Sequence, residues 1–265
     1  MKTKDIVVGL GEIGYPILKL ISKSSIVVGF DKNKNLMNLN EFKKYQNLEN
    51  RIIHICIPFN KNFLKNTVNI YEKFSPKCII IHSTVEPYTT KKIQEKLPVP
   101  IIYSPVRGVH KRMIKDLKKY KKFFAIEKNS PKKDWATKTY SLLMKKSGVK
   151  TKKISNPTTL ELSKIICDTS YLGWLINYSQ ISNMIAIQHG VDFDEMWSFA
   201  DEIHKNLGNR PKMFPGYIGG HCVIPNLELI NNQTLNLINE LNDFYLKKIP
   251  HAKRIAKKYG SKLNR

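Results

Sequence analysis

The sequence predicts an α/β fold, an N-terminal Rossmann-type doubly wound parallel sheet followed by a mainly α-helical domain with one long helix. Three observations predict it. Apolar runs alternate with amphipathic stretches through the first half. A glycine turn, Gly9-Leu10-Gly11-Glu12-Ile13-Gly14, stands between the first run and the first such stretch. After Lys153 the strand pattern gives way to helical periodicity.

Strands are expected over residues 5–9, 25–30, 51–57, 77–82, 99–103 and 122–126. They are rich in Ile and Val without polar alternation, as suits a sheet covered on both faces. Helices over 13–22, 60–74 and 89–96 fall between them at the spacing of βαβ units. This half makes a first domain over 1–154, with a second over 155–265. In the second, Asn156-Pro157-Thr158 opens a helix, and Thr158 with Glu161 reads as a capping box. The helix runs to about Gln188, where Gly190 offers a C-cap. Some thirty residues span about 45 Å, more than a small domain needs. With Leu172, Trp174, Ile181 and Ile185 along it, this helix is expected to pack against a second copy of the chain, making a homodimer. A helix over 194–206, a glycine-rich loop over 214–225 and a last helical region ending near Tyr259 complete the chain.

Composition narrows the class. With 265 residues and 42% hydrophobic content the chain can bury two cores. No apolar run approaches the roughly 18 residues of a membrane span. The start leads directly into a strand without the apolar stretch of a signal peptide. Cys56, Cys78, Cys167 and Cys222 are scattered without CxxC spacing, and the first three sit among aliphatic residues as small core hydrophobes. That pattern speaks against a metal site or disulfide scaffold and for a reducing, cytoplasmic setting. The net charge of +24 arises from 45 Lys and Arg against 21 Asp and Glu, with clusters over 111–122, 145–153 and 247–265. Such a field attracts polyanions, yet no zinc-finger spacing or RNP-like aromatic string accompanies it. The plainer reading is a solvated basic surface that draws in phosphorylated cofactors and substrates, so nucleic acid is not the expected partner.

The glycine turn follows a strand and opens a helix, the context in which GxGxxG binds a dinucleotide. Gly9 permits the tight turn, Gly11 admits pyrophosphate to the backbone, and Gly14 lets the helix pack on the sheet. Glu12 and Ile13 complete the cradle, with the helix N-terminus supplying N–H donors. Asp31 ends the second strand; its carboxylate suits ribose hydroxyls and repels a 2′-phosphate, which favours NAD over NADP. Lys32 and Lys34 beside it keep NADP as the lesser option.

In the second half Cys222 ends a loop containing Gly216, Gly219 and Gly220. A thiolate there can attack an aldehyde carbonyl and hold it for a second hydride transfer, although a lone cysteine is more often an inert core residue. Three segments, Glu161-Leu162-Ser163-Lys164, Gly190-Val191-Asp192 and the run from Pro215 through Gly219-Gly220-His221-Cys222 to Pro225, resemble the UDP-glucose/GDP-mannose dehydrogenase family. In the first half the glycine turn, Cys56-Ile57-Pro58 and Ser83-Thr84-Val85 are similar as well, and the resemblance runs from Lys4 to about Leu229. It implies oxidation of a sugar-nucleotide alcohol to an acid with NAD, through a thiohemiacetal on Cys222. It also implies that Lys164 stabilises oxyanions, that Pro58 and Thr84 lie by the cofactor, and that Thr84 is near the nicotinamide. The plainer reading of Lys164 is a solvated helix lysine.

The departures carry information. Asp168 stands where the family has Asn, and Asn226 where it has Asp, so the pair is exchanged and expected to share the catalytic pocket. Val106 replaces the family's Glu in Ser104-Pro105-Val106-Arg107, which leaves open whether two or four electrons are removed; His110 and Glu86 are the nearby titratable groups. The family's C-terminal nucleotide-gripping domain is expected to be missing from this chain. Besides a sugar-nucleotide-type dehydrogenase acting on a small anionic substrate, two other readings therefore stand: a two-electron hydroxyacid-type dehydrogenase with Lys164 as acid/base, and a non-catalytic NAD- or nucleic-acid-binding protein.

Overall fold

The computed structural model describes residues 2–207, 215–219, 223–229 and 232–255. The Ile- and Val-rich runs become strands: β1 (Thr3–Val8), β2 (Val27–Phe30), β3 (Glu49–Ile55), β4 (Cys78–Ile81), β5 (Ile101–Tyr103), β6 (Lys122–Ile126) and β7 (Thr151–Lys153). The helices are α1 (Gly14–Ile21), α2 (Leu39–Lys44), α3 (Phe63–Phe74), α4 (Thr89–Gln94), α5 (Met113–Lys119), α6 (Lys133–Lys146), α7 (Pro157–Ser163), α8 (Tyr171–Gln188), α9 (Phe193–Leu207), α10 (Val223–Leu227) and α11 (Gln233–Lys248).

The strands form one sheet in the order β2-β1-β3-β4-β5-β6-β7. β1 to β5 are parallel, but β6 runs antiparallel to β5, and β7 follows β6. The expected parallel sheet holds over β1 to β5 and reverses only at its last two strands, because strand composition does not record direction. β7 carries only Thr and Lys, and so gave no apolar signal. One face of the sheet is covered by Ile17 and Leu20 of α1, Met113 of α5 and Tyr140 of α6. The other is covered by Phe63 of α3, Ile93 of α4 and Leu160 of α7. Burial on both faces explains why the strands lack polar alternation.

The chain divides into two compact units, Met1–Lys164 and Ile165–Arg265. Against the expected boundary at 154/155, α7 belongs with the sheet, since Leu160 packs into its core. The Asn156 side chain caps α7 by accepting from the Thr159 amide at 2.8 Å. The expected capping box between Thr158 and Glu161 does not form, because the Glu161 carboxylate is engaged with Tyr88 and Thr90. The expected long α-helix is interrupted by a π-helical stretch, Lys164–Ser170, before α8. α8 ends as expected at Gly190, whose φ of +67° suits glycine. Val191 N–H donates to Ala186 and Gly190 N–H to Ile187, the paired bonds of a Schellman cap.

In the second unit α8 meets α10 and α11 at Gly173, where a Cβ would lie 3.2 Å from both Val223 and Ile238. Beside it runs a buried amide network. The Gln180 amide donates to Gly216 O and to Asn242 Oδ1, and Asn242 both accepts from the Ile218 amide and donates to its carbonyl. Of the thiols expected in the core, Cys78 is buried, Cys56 is half-buried and Cys167 is exposed on the π-helical stretch beside exposed Ile166.

The first unit also buries polar groups. His82 Nδ1–H donates to Ser104 O at 3.0 Å, so its Nε2 accepts from His54 Nδ1–H at 2.9 Å, and both rings are neutral. Burial holds His54 down to about 4 and His82 well below the usual histidine range. A base with a depressed folded value stabilises the fold fully above its unfolded value, about 6.5, and loses that contribution as pH falls through it. The urea midpoint is therefore expected to drop between pH 6.5 and about 4. In a His54→Phe, His82→Phe double variant this slope should flatten whatever the midpoint; an unchanged slope would assign the acid sensitivity elsewhere.

Candidate functional site

β1 hands over to Gly9 at φ +89°. A Cβ on Gly9 would lie 2.8 Å from the Cys56 carbonyl oxygen, so the turn sits directly on the segment leaving β3. Gly14 opens α1, and a Cβ there would lie 1.6 Å from the Gly9 carbonyl oxygen. Around Gly11 nothing lies within 4 Å of a would-be Cβ, which leaves its backbone open to a ligand. Gly11 and Glu12 are exposed and Ile13 is half-buried. α1 starts at Ile13 without a side-chain cap and without an acid in its first turn, which suits a phosphate at its N-terminus.

Asp31 follows β2. Its Oδ2 accepts from the Leu10 amide at 2.7 Å and its Oδ1 from the Asn33 amide at 2.8 Å. The carboxylate thus holds the glycine turn as well as standing where ribose hydroxyls would bind, and each oxygen keeps a lone pair for them. β1 lies between β2 and β3, the point where strand order reverses and where doubly wound sheets bind ligands beyond the strands' carboxyl ends.

Three further sequence-selected positions follow β3 or β4. Cys56-Ile57-Pro58 leaves β3, with Pro58 exposed. Ser83 Oγ donates to Ile57 O at 2.6 Å and so ties the loop after β4 to the loop after β3. Thr84 is half-buried between buried Ser83 and Val85. The glycine turn, Asp31, Pro58 and Thr84 therefore share the carboxyl edge of one sheet. Glu12 also pairs with His110, Oε2 to Nδ1 at 2.5 Å, joining the turn to the segment after β5. Val106 is buried in the core with Met113 and Leu117, so no polar group occupies that position.

The catalytic candidates are distributed differently. Lys164 is half-buried at the end of the first unit. In the second unit Asp168 is half-buried on the π-helical stretch and Asn226 half-buried on α10. Cys222 and His221 lie outside the described residues, as does Gly220. The π-helical stretch was not foreseen; such i→i+5 turns cluster at functional sites. Sequence reading also missed the roles of Ser83, Gln180 and Asn242, whose partners are distant in the chain.

Glu161 was singled out for another reason than the one the structure gives. Its carboxylate accepts from the Tyr88 amide at 2.7 Å, the Thr90 amide at 2.9 Å and the Thr90 hydroxyl at 2.6 Å. Tyr88 sits at φ +71°, an uncommon backbone for a non-glycine residue, at the entry to α4. Burial pushes the Glu161 carboxyl up and the Thr90 and Tyr88 donors pull it back. Glu161 thereby fastens the segment after Thr84 to α7, the helix that leads into Lys164.

No protein-family model and no curated protein matches the chain. Solved structures do. UDP-D-ManNAc dehydrogenase from Pyrococcus horikoshii superposes with a TM-score of 0.75 at 20% identity, over 92% of this chain and 69% of that one. UDP-glucose dehydrogenase from Pyrobaculum islandicum gives 0.68 at 14%, over 93% and 68%. Mycobacterium tuberculosis 3-hydroxyisobutyrate dehydrogenase gives 0.65 at 15%, over 95% of each chain. At these identities the likeness shows a shared fold.

The Glu161 clamp is directly testable. Glu161→Gln places an NH2 against a buried backbone donor and should lower stability by about 1–3 kcal/mol, read as a fall in melting temperature. Thr90→Val removes one donor and should cost about 1 kcal/mol. Equal, negligible effects would contradict the clamp.

Proposed function

We propose that this chain is an NAD-dependent dehydrogenase acting on a CH–OH group, with a sugar nucleotide or related small anionic molecule as substrate. The observation that carries the proposal is the open glycine turn at the strand-order reversal, with Asp31 closing it from β2. When bound there, NAD accepts the hydride of the alcohol carbon. The residues fit that cofactor: Gly11 leaves room for pyrophosphate, the α1 N-terminus offers N–H donors, and Asp31 offers acceptors to ribose hydroxyls. The fold shared with UDP-D-ManNAc and UDP-glucose dehydrogenases supports the substrate class. The first unit's excess of lysine favours an anionic substrate.

In this reading Cys222 adds as thiolate to the aldehyde made by the first hydride transfer. Held on Cys222, the thiohemiacetal would give up its hydroxyl proton to solvent and a second hydride to the acceptor that NAD would supply at the glycine turn, and water would then release the acid and the thiol from the thioester. Lys164 would offset oxyanion charge as it develops, and Asp168 and Asn226 would supply one carboxylate and one amide. Buried Gln180 and Asn242 support this role by holding Gly216 and Ile218, which precede Cys222 by a few residues in the sequence. A reducing, cytoplasmic setting suits free Cys56, Cys78 and Cys167.

A second reading has its own support. The hydroxyisobutyrate dehydrogenase structure matches over 95% of both chains, and Val106 is buried where the resembled family has a carboxylate. Under it Lys164 serves as acid/base, one NADH is made per substrate, and Cys222 is incidental.

Counting NADH formed per sugar nucleotide or hydroxyacid consumed separates the two. The leading reading predicts two, with Cys222→Ser stopping at one and releasing aldehyde. Full turnover to the same product by Cys222→Ala would establish the second reading instead. We also propose a homodimer, supported by exposed Trp174, Tyr178, Ile181 and Ile185 along α8. Sedimentation at micromolar concentration should give twice the 30.7 kDa chain mass; a folded monomer would refute it.

A further inference from the structure

The positive charge is not spread along the chain. Met1–Lys164 holds 34 Lys and Arg against 12 Asp and Glu, whereas Ile165–Arg265 holds 11 against 9. Within the first unit, residues 111–153 hold 16 against 3. One of the three, Asp116, is buried and pairs with Arg112, so that pair cancels and the remaining excess lies on lysines. Two cofactor phosphates do not require such an excess, and the glycine turn meets them with backbone donors.

The fold collects these cations at one corner. The Lys122 amide donates to Lys150 O at 2.8 Å, which sets the start of β6 beside the start of β7. The Gly148 turn that follows α6 lies against the Lys118 side chain at the end of α5, 3.9 Å from a would-be Cβ to Lys118 Cε. Exposed Lys118 and Lys119 of α5, Lys145 and Lys146 of α6, and Lys150 therefore belong to neighbouring ends of adjoining elements. One aromatic ring stands among them, Tyr120; Phe123, with the Arg107 guanidinium at 4.8 Å and the Lys152 ammonium at 5.8 Å from its ring centre, packs into the other face of the sheet. Tyr120, 39% exposed, has Lys119 Nζ at 5.8 Å. Protection of the β7 edge from strand pairing accounts for Lys152 and Lys153, but not for the lysines of α5 and α6.

We propose that this corner is a binding surface for single-stranded nucleic acid. Clustered ammonium groups beside the exposed Tyr120 ring suit a flexible chain of phosphates and unstacked bases, the ammonium groups meeting phosphate while the ring takes a base. The glycine turn is a separate feature of the same unit, so this surface stands or falls independently of the dehydrogenase reading.

Fluorescence anisotropy of a labelled oligothymidylate of about 20 nucleotides, titrated with the full chain between about 50 and 200 mM salt, tests it. Five phosphate contacts predict a slope of about −3 to −4 in log affinity against log salt. Reversing Lys118, Lys119, Lys145, Lys146 and Lys150 to Glu together should weaken binding at least about 30-fold and flatten that slope. A control reversing Lys61, Lys65, Lys91, Lys92 and Lys96, around α3 and α4 on the other face of the sheet, changes net charge equally and should weaken it less than about 3-fold. Tyr120→Ala should weaken it about 5-fold or more without altering the slope. Equal losses in the two charge variants would reduce the effect to net charge and overturn the proposal. So would absence of binding by the unaltered chain at about 50 mM salt, or equal affinity for a duplex of the same length. Preference for anionic lipid vesicles over the oligonucleotide would likewise overturn it.

Discussion

The carbonyl of Gly9 occupies the place a side chain on residue 14 would need, 1.6 Å from its would-be Cβ, and the rest of the sheet's carboxyl edge follows from that contact. α1 can start this close to β1 only because residue 14 has no side chain. The closeness is what aims the first N–H groups of α1 over the turn. Gly9 in turn rests on the Cys56 carbonyl, which couples the turn to β3, and Ser83 passes the coupling on to the loop after β4. Asp31 closes the ring from β2 through the Leu10 amide. Four strands thus meet around one short turn, so a ligand bound there is held by the whole carboxyl edge rather than by a loop.

The core beneath that edge is less apolar than a doubly wound sheet requires. Asp5 and Arg51 form a two-bond pair, His54 and His82 share a proton-bearing contact, and Lys122 donates to the Ser104 and Pro105 carbonyls. Burial holds Lys122 down to about 7. Each donor is fixed by a specific acceptor, and although His54 Nε2 is without a hydrogen-bond partner, such networks favour one geometry because others leave more buried polar atoms unsatisfied. His82 and Lys122 both grip the Ser104 carbonyl, immediately before the segment that carries Val106 and reaches His110 and Glu12.

What was legible in the sequence was local. Aliphatic runs marked six strands, the three glycines marked the turn between β1 and α1, and Gly190 marked the end of α8, because each signal lies within a few residues of the structure it causes. What was missed depends on distant partners or on absent hydrophobicity. Glu161 looked like a capping residue by its spacing from Thr158, yet its partners are more than 70 residues away. β7 has no apolar residue to announce it, and nothing in the composition of β6 records that it runs backwards. The exposure of Cys167 reflects the π-helical stretch, which no residue pattern foretold. The candidate site divides in the same way: the geometry of the glycine turn and Asp31 was readable from spacing, whereas the roles proposed for Lys164 and Cys222 rest on family resemblance.

The central claim is that the turn at the strand-order reversal binds NAD and that Asp31 selects it. Calorimetric titration of the unaltered chain with NAD and with NADP, repeated on Asp31→Ala, tests this most directly. The account predicts one NAD per chain, bound more tightly than NADP. In the variant, NAD binding should weaken by about tenfold and the preference should be lost. Tighter binding of NADP by the unaltered chain, or no binding of either dinucleotide, would contradict it.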